Sequence, residues 1–268
     1  LQQTRDAVSH ILQHYENFKK IHSIQRPMVI GVSGCQGSGK TTLCNTLESI
    51  LSREPYHLNV VNFSLDDVYL THQDQVNLSK NKYPSNPLYK HRGQAGSHDL
   101  NLLKETFRSL LHPTDHSAVR IPIYDKSKFK GEGDRLDKKG WKVVKPPFNI
   151  ILFEGWMNGF KPLASQTAID TIIRETHLLD KLNLPTLTAE HLYQLDENLV
   201  PYEKEIYPFY DIFIHLSPEN LQQVYQWRLE QEHTMKAVRK VEGLSDEQVK
   251  TFVDTYMPAY ELYLPRLD

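Results

Sequence analysis

An α/β fold with a doubly wound, mainly parallel sheet is predicted by three features of the sequence. Short apolar runs alternate with amphipathic stretches of helical period, the order a parallel sheet requires. One run, 28–33, leads straight into a glycine-rich loop and then a helix. Acidic residues stand just past two other runs, Asp66-Asp67 and Glu154. Ligands of such sheets gather beyond the carboxyl ends of the strands.

Each element has its own signature. Ala7, Val8, Ile11, Leu12, Tyr15, Phe18 and Ile21 share a helical face, so 7–21 is expected to pack on the outside of the sheet. Residues 28–33 are apolar and partly β-branched, as a strand buried on both faces must be. Leu43, Leu47, Ile50 and Leu51 give 42–51 a helical apolar face. A second strand is read at 58–64, ending at Asp66-Asp67. The polar stretch 71–97 is too long for a plain connector and is expected to carry function. A helix is predicted over 98–112, with Asp99 in its first turn. Residues 119–124 are a third strand candidate, and Pro122 places it at an edge or near its end. The charged stretch 126–139, with Gly131 and Gly133, reads as a loop or hairpin. Residues 148–153 form a buried strand, 184–206 a helix and 211–216 a further strand. Ser217 as N-cap and Pro218 at the first position open a long helix carrying Arg228, Lys236, Arg239 and Lys240. A last helix begins near Ser245, with Asp246 and Glu247 in its first turn.

Gly34-Cys35-Gln36-Gly37-Ser38-Gly39-Lys40-Thr41 fits the phosphate-loop pattern G-x-x-x-x-G-K-[S/T] in full. Glycines let backbone N–H groups turn inward around a triphosphate, because no Cβ stands in the way. Lys40 adds a point charge for the β and γ phosphates, and Thr41 offers a hydroxyl to Mg²⁺. The following helix, opening at Thr42, aims its free N–H groups and positive dipole end at the same place. Gly34 to Thr42 are therefore the expected binding residues for ATP, with Mg²⁺ as its companion.

Three further groups are candidates for chemistry. A carboxylate at Asp66 or Asp67 could take a proton from a substrate hydroxyl or hold Mg²⁺. Adjacent strand residues face opposite ways, so one of the two is expected to face the nucleotide, and both types also suit turns and caps. Glu154, at the mouth of the buried run 150–153, has the form of a Walker B acid near Mg²⁺. The basic residues on the helix after His215 suit a solvated face, or a lid that closes on ATP and brings an arginine to the transferring phosphoryl group. Trp227-Arg228 is the candidate pair, the ring anchoring the helix while the guanidinium reaches inward.

The phosphate loop, Ser64-Leu65-Asp66-Asp67-Val68-Tyr69 and Phe153-Glu154-Gly155-Trp156 resemble the phosphoribulokinase, uridine kinase and pantothenate kinase group of P-loop kinases. Within it the chain is most similar to plant-type D-glycerate 3-kinases. That likeness rests on 92–100, 123–127, 133–135, 224–229 and Tyr256-Met257-Pro258-Ala259-Tyr260, and runs from about Val29 to Leu264. The resemblance implies ATP-dependent transfer to a hydroxyl of a small molecule, D-glycerate first. It favours Asp66 as base, places Asp99 near substrate hydroxyls and puts Arg228 in the lid; Tyr124, expected at the end of a sheet strand, is a further substrate candidate. It makes Arg92, Lys126 and Arg135 candidates for an acidic substrate group. Glu132 departs from it, standing where a basic or neutral residue is expected.

The 268 residues suit one kinase domain. Its expected parts are the phosphate-loop and base unit at 28–69, substrate loops at 71–147, the Walker B strand and following elements at 148–216, and lid and C-terminal helices at 217–268. A net charge of −2 gives no footprint for nucleic acid or membrane. No run approaches the roughly 20 apolar residues of a membrane span. Two cysteines are too few for a disulfide framework and read as reduced thiols. These features point to the cytoplasm, with the nucleus open and an upstream targeting segment not decided by a chain that starts at Leu1. A monomer or small homo-oligomer is expected. A GTPase would need N-K-x-D after a strand, and Asn81-Lys82-Tyr83-Pro84 fails at its last position. The remaining alternatives are a kinase of another metabolite, pantothenate-like or nucleoside-like, and an ATP-binding regulator without transfer activity.

Overall fold

The computed structural model describes residues 2–22, 26–114, 117–239 and 244–267. In chain order the helices are α1 (Gln2–His22), α2 (Lys40–Leu51), α3 (His72–Asn77), α4 (Leu100–Leu111), α5 (Gln166–Thr176), α6 (Leu178–Lys181), α7 (Ala189–Glu205), α8 (Gln222–Arg239), α9 (Asp246–Asp254) and α10 (Met257–Tyr263). The strands are β1 (Met28–Gly34), β2 (Val60–Ser64), β3 (Val119–Ile121), β4 (Tyr124–Asp125), β5 (Asp134–Arg135), β6 (Lys142–Val144), β7 (Ile150–Gly155) and β8 (Ile212–Leu216).

The central sheet runs β2-β7-β1-β8, and every neighbouring pair is parallel. All seven residues of β1 are buried, as a strand covered on both faces must be. Met28, Ile30 and Val32 join Ile150 and Leu152 on one face, under Ile11, Tyr15 and Phe18 of α1 and Leu43, Leu47 and Leu51 of α2. Val29, Val61, Ile151 and Phe153 point to the other face, under α4, α7 and α10. The strand period of two thus sorts one apolar sequence into two cores. Helices on both faces make the sheet doubly wound, as predicted. Among the described residues no helix is long and apolar enough to cross a membrane.

Several elements differ from expectation. The third strand candidate lies outside the central sheet: β3 stops at Ile121, before Pro122, and pairs antiparallel with β6. The chain between them doubles back without a crossover helix, so a parallel place in the sheet is closed to it. Tyr124 is consequently not at the end of a central strand but in the two-residue pair β4–β5. Strand β2 stops at Ser64, and Asp66 and Asp67 lie in a 3₁₀ turn, Leu65–Val68. Asp99 is the N-cap of α4, its side chain accepting from Leu102 N, rather than a first-turn residue. The helix predicted over 184–206 forms only from Ala189. Helix α8 starts at Gln222, so Ser217 is not its cap; Glu219 N donates to Gln223 Oε1, and the Gln223 amide returns to Glu219 Oε2. Ser245 does cap α9. Lys240 lies outside the described residues.

Candidate active site

The phosphate loop follows β1 and ends as α2 begins at Lys40. Gly37 and Gly39 have φ of +80° and +85°, the left-handed region open to glycine. A Cβ on Gly37 would also lie 2.5 Å from Trp227 Cβ, so α8 crosses directly over the loop. Gln36 N donates to the Tyr260 hydroxyl of α10 at 3.1 Å. Ser33 Oγ, Gln36 Oε1 and Ser38 Oγ are buried with no partner. Thr42 stays exposed on the first turn of α2. Cys35 and Cys44 are free and buried, and burial pushes both thiols up to about 12, so neither is a thiolate.

Glu154 sits at the end of β7 beside Ser64 in the sheet register. Its Oε1 accepts from Thr41 Oγ1 at 2.9 Å, while its Oε2 is buried and unpartnered. Burial raises its carboxyl, against the nearby Lys40 charge. A hydroxyl and a carboxylate oxygen with free capacity fit Mg²⁺, which takes one or two protein oxygens and completes its shell with phosphates and water. No cluster of three His, Cys, Asp or Glu residues suited to a metal occurs among the described residues.

The two aspartates are separated by the 3₁₀ turn. Asp67 Oδ2 accepts from Ser64 N at 2.9 Å and closes a capping box. Asp66 faces the cleft, where Tyr69 Oη donates to its Oδ1 at 2.9 Å and Lys126 Nζ to its Oδ2 at 2.5 Å. Burial alone would raise the Asp66 carboxyl, but Lys126, Lys40 and the Tyr69 O–H outweigh it and hold it at about 2. Asp67 goes the other way, pushed up to about 6 by burial and by the charges of Asp66 and Glu154. Asp66 is therefore a carboxylate at neutral pH.

The predicted substrate cations all have partners inside the protein. Lys126 is on Asp66, as above. Arg135 pairs with Asp99 Oδ2 at 3.1 Å. Arg92 donates to the carbonyls of Gly131 (2.8 Å) and Glu132, and its guanidinium lies 5.3 Å from the Tyr124 ring centroid and 6.0 Å from that of Tyr69. Tyr124 Oη donates to Glu132 O at 3.2 Å. Glu132 thus serves this corner through its backbone. Its carboxylate turns away to His72, Nε2 to Oε2 2.7 Å, which removes the conflict its charge presented. Arg92 is the one of the three without a carboxylate partner among the described residues.

Arg228 pairs with Glu232 at 2.8 Å and stacks over Phe252, 5.3 Å from the centroid. Glu232 is buried and also accepts from Leu244 N at 2.8 Å. The anchoring role expected of Trp227 matches its seat over Gly37. Sequence reading missed Tyr69, Glu232 and Tyr260. Tyr69 was findable, because three residues on from Asp66 is one turn of a 3₁₀ helix. Glu232 stands four residues after Arg228, a helical ion-pair spacing. Tyr260 left no local signal toward a loop 224 residues away.

A parallel sheet that carries this loop, with a carboxylate at each of two neighbouring strand mouths and a helix laid over the loop, defines a P-loop phosphotransferase acting on a hydroxyl. The chain belongs to the phosphoribulokinase/uridine kinase family, whose description "PRK: Phosphoribulokinase / Uridine kinase family" matches residues 29–166. It is 43% identical over 243 residues to "Uncharacterized kinase mug58" of Schizosaccharomyces pombe, covering 90% of this chain and 83% of that protein. It is 37% identical over 260 residues to "D-glycerate 3-kinase, chloroplastic" of Arabidopsis thaliana, covering 96% of this chain and 52% of the plant protein. Among solved structures, D-glycerate 3-kinase from Cryptococcus neoformans superposes with a TM-score of 0.89 at 38% identity, over 99% of this chain and 89% of that one.

Proposed function

We propose that this kinase transfers the γ-phosphoryl group of Mg-ATP to a hydroxyl of D-glycerate. The observation that carries the reading is Arg92, a guanidinium without a carboxylate partner among the described residues, set beside Tyr69 and Tyr124 next to the Asp66 carboxylate. A small carboxylate wants a fork of N–H donors, whereas a nucleoside would want stacking faces and amide partners. The likeness to D-glycerate 3-kinases along almost the whole chain supports the same acceptor.

The residues divide the work. Loop N–H groups from 34–42 and Lys40 hold the phosphates. Thr41 and Glu154, with Asp66 near them, are the oxygen donors for Mg²⁺, which neutralises phosphate charge when bound. Asp66 accepts the proton of the acceptor hydroxyl, and Lys126 keeps it ionised for that step. Arg92 takes the acceptor carboxylate in exchange for its carbonyl partners. Asp99, oriented by Arg135, and Tyr124 read the remaining hydroxyl. Arg228 leaves Glu232 to meet the charge that builds on the transferring group, a role worth ~10³–10⁵ in kcat.

Steady-state assays with Mg-ATP against D-glycerate, uridine and pantothenate test the reading. Turnover of D-glycerate is expected. Turnover of either other acceptor with silence on D-glycerate overturns it, and ATP binding without turnover of any small hydroxylated metabolite would favour a regulator.

A further inference from the structure

His98 has no part in the assignments above. It stands opposite Tyr69 across a single antiparallel bridge. Leu70 N donates to Ser97 O at 2.9 Å and Asp99 N to Val68 O at 2.8 Å, so the two residues face each other between these hydrogen bonds, the pairing that brings side chains closest. Their rings stack, with centroids 4.6 Å apart and planes 21° from parallel. Tyr69 is the residue whose hydroxyl donates to Asp66 Oδ1 at 2.9 Å, and its ring meets that of Tyr124 edge-on at 5.3 Å. The imidazole thus backs the ring that holds the carboxylate.

The imidazole is itself tied to α7. Nδ1 lies 2.7 Å from Tyr202 Oη, a hydroxyl that also accepts from Gly96 N at 3.0 Å. Gly96 lies against Asn198, one turn earlier on α7: a Cβ there would be 2.9 Å from Asn198 Cγ, at a φ of +99°. Contacts to two residues four apart hold this loop to one face of the helix. Tyr202 has one proton to give, and among the described residues its acceptor is Nδ1, so Nε2 carries the imidazole hydrogen. Nε2 is buried and has no partner among the described residues. Burial lowers the imidazole to about 3, so the ring stays neutral at working pH. A buried N–H without an acceptor weakens the fold. What the imidazole has over an apolar ring is the tie to Tyr202.

We propose that His98 is a positioning residue: anchored on Tyr202, it braces the Tyr69 ring so that the phenol holds Asp66 toward the acceptor hydroxyl. The inference rests on the proposed phosphoryl transfer but not on which acceptor is used. His98 exchanges no proton in that step and touches no reacting group; it acts only through the Tyr69 hydroxyl. A misplacement of about 1 Å can cost ~10² in rate, so the brace matters to kcat far more than to binding.

Removing the brace in two backgrounds tests this. His98→Ala is compared with the parent, and the same change in a Tyr69→Phe chain with Tyr69→Phe alone, for kcat, acceptor KM, Mg-ADP affinity and melting temperature. With any acceptor the kinase turns over, His98→Ala is expected to lower kcat about 10- to 100-fold while acceptor KM and Mg-ADP affinity stay within about twofold. Where Tyr69→Phe has already removed the hydroxyl, the change should cost less than about twofold, the mark of residues acting as one unit. If His98→Ala does not fold, His98→Phe takes its place in both backgrounds; it fills the space, drops the tie and should lose less. NMR of ring-labelled tyrosine reads the brace without turnover: the Tyr69 ring should flip faster in the variant than in the parent. An equal kcat loss in both backgrounds overturns the proposal, because a merely structural role would be additive. So does a kcat like the parent's, a loss confined to acceptor KM or Mg-ADP affinity, or an unchanged Tyr69 flip rate. Silence on D-glycerate with this pattern kept on another acceptor would remove the acceptor assignment and leave His98 in place.

Discussion

Under the proposed function, residues 28–51 build the donor half of the cleft as one continuous piece of chain, strand to loop to helix. The acceptor half is assembled from 64–69, 92–99 and 124–135, joined by contacts across 60 residues for Lys126 on Asp66, 39 for Arg92 on Gly131 and 36 for Arg135 on Asp99. The halves also differ in how their polar groups are used. Around the phosphate loop, Ser33, Gln36, Ser38 and Glu154 keep buried oxygens without partners. Around the acceptor, each cation already holds a carboxylate or carbonyl. On the proposed reading, the donor half is preorganised for an anion and its metal, and the acceptor half would trade an internal contact for each one it makes to substrate. A trade of that kind favours a ligand able to replace every displaced partner, which is a source of selectivity.

Asp66→Asn should separate the halves most sharply. Removing a general base costs ~10²–10⁴ in rate, or roughly 3–5 kcal/mol in the barrier. Nucleotide affinity should hold, since the loop and Lys40 are untouched. Binding and single-turnover measurements on Asp66→Asn and Asp67→Asn decide the matter, and a larger kcat loss in the Asp67 variant would move the base to that residue.

A smaller effect is expected of Arg92→Ala. Losing a charged hydrogen-bonding group typically costs ~1.5–3 kcal/mol, so kcat/KM for the acceptor should fall about 10- to 100-fold, mainly through KM. Mg-ADP should bind as before. If nucleotide affinity drops alongside, the two halves are not independent and the comparison fails.

Legibility followed the same division. The donor half could be read because a phosphate loop needs fixed residue types at fixed neighbours, and because an apolar strand ending in Glu154 has a period and a stop. Helix ends were legible where a cap is local, as at Ser245, and misplaced ahead of α8, where side chains four apart, Glu219 and Gln223, tie the chain before the helix begins. In the acceptor half the residue types were legible but their partners were not. Nothing near Lys126 says that it meets Asp66, nor anything near Glu132 that its carbonyl serves while its carboxylate turns to His72. Such pairings are set by the twist of a loop over a sheet, which leaves no periodic mark in sequence.

The last expected effect concerns stability rather than activity and lies where the halves meet. Asp67 accepts from Ser64 N beside Glu154 and Asp66, and its carboxyl rises from 3.8 to about 6, first through burial and then through those two charges. A carboxyl raised on folding binds its proton more tightly in the native state, so stability is greatest below the unfolded value and declines as pH climbs from about 4 to about 6. The full difference corresponds to roughly 3 kcal/mol, or several degrees of melting temperature in a chain of this size. Asp67→Asn keeps an oxygen for Ser64 N and removes the charge. Melting temperatures of parent and variant from pH 4 to pH 7 should therefore diverge, with the variant gaining on the parent up to about pH 6 and keeping that lead above it. A constant gap across the range would mean that Asp67 ionises as an ordinary carboxylate, and that the junction carries no more strain of charge than the acceptor loops do.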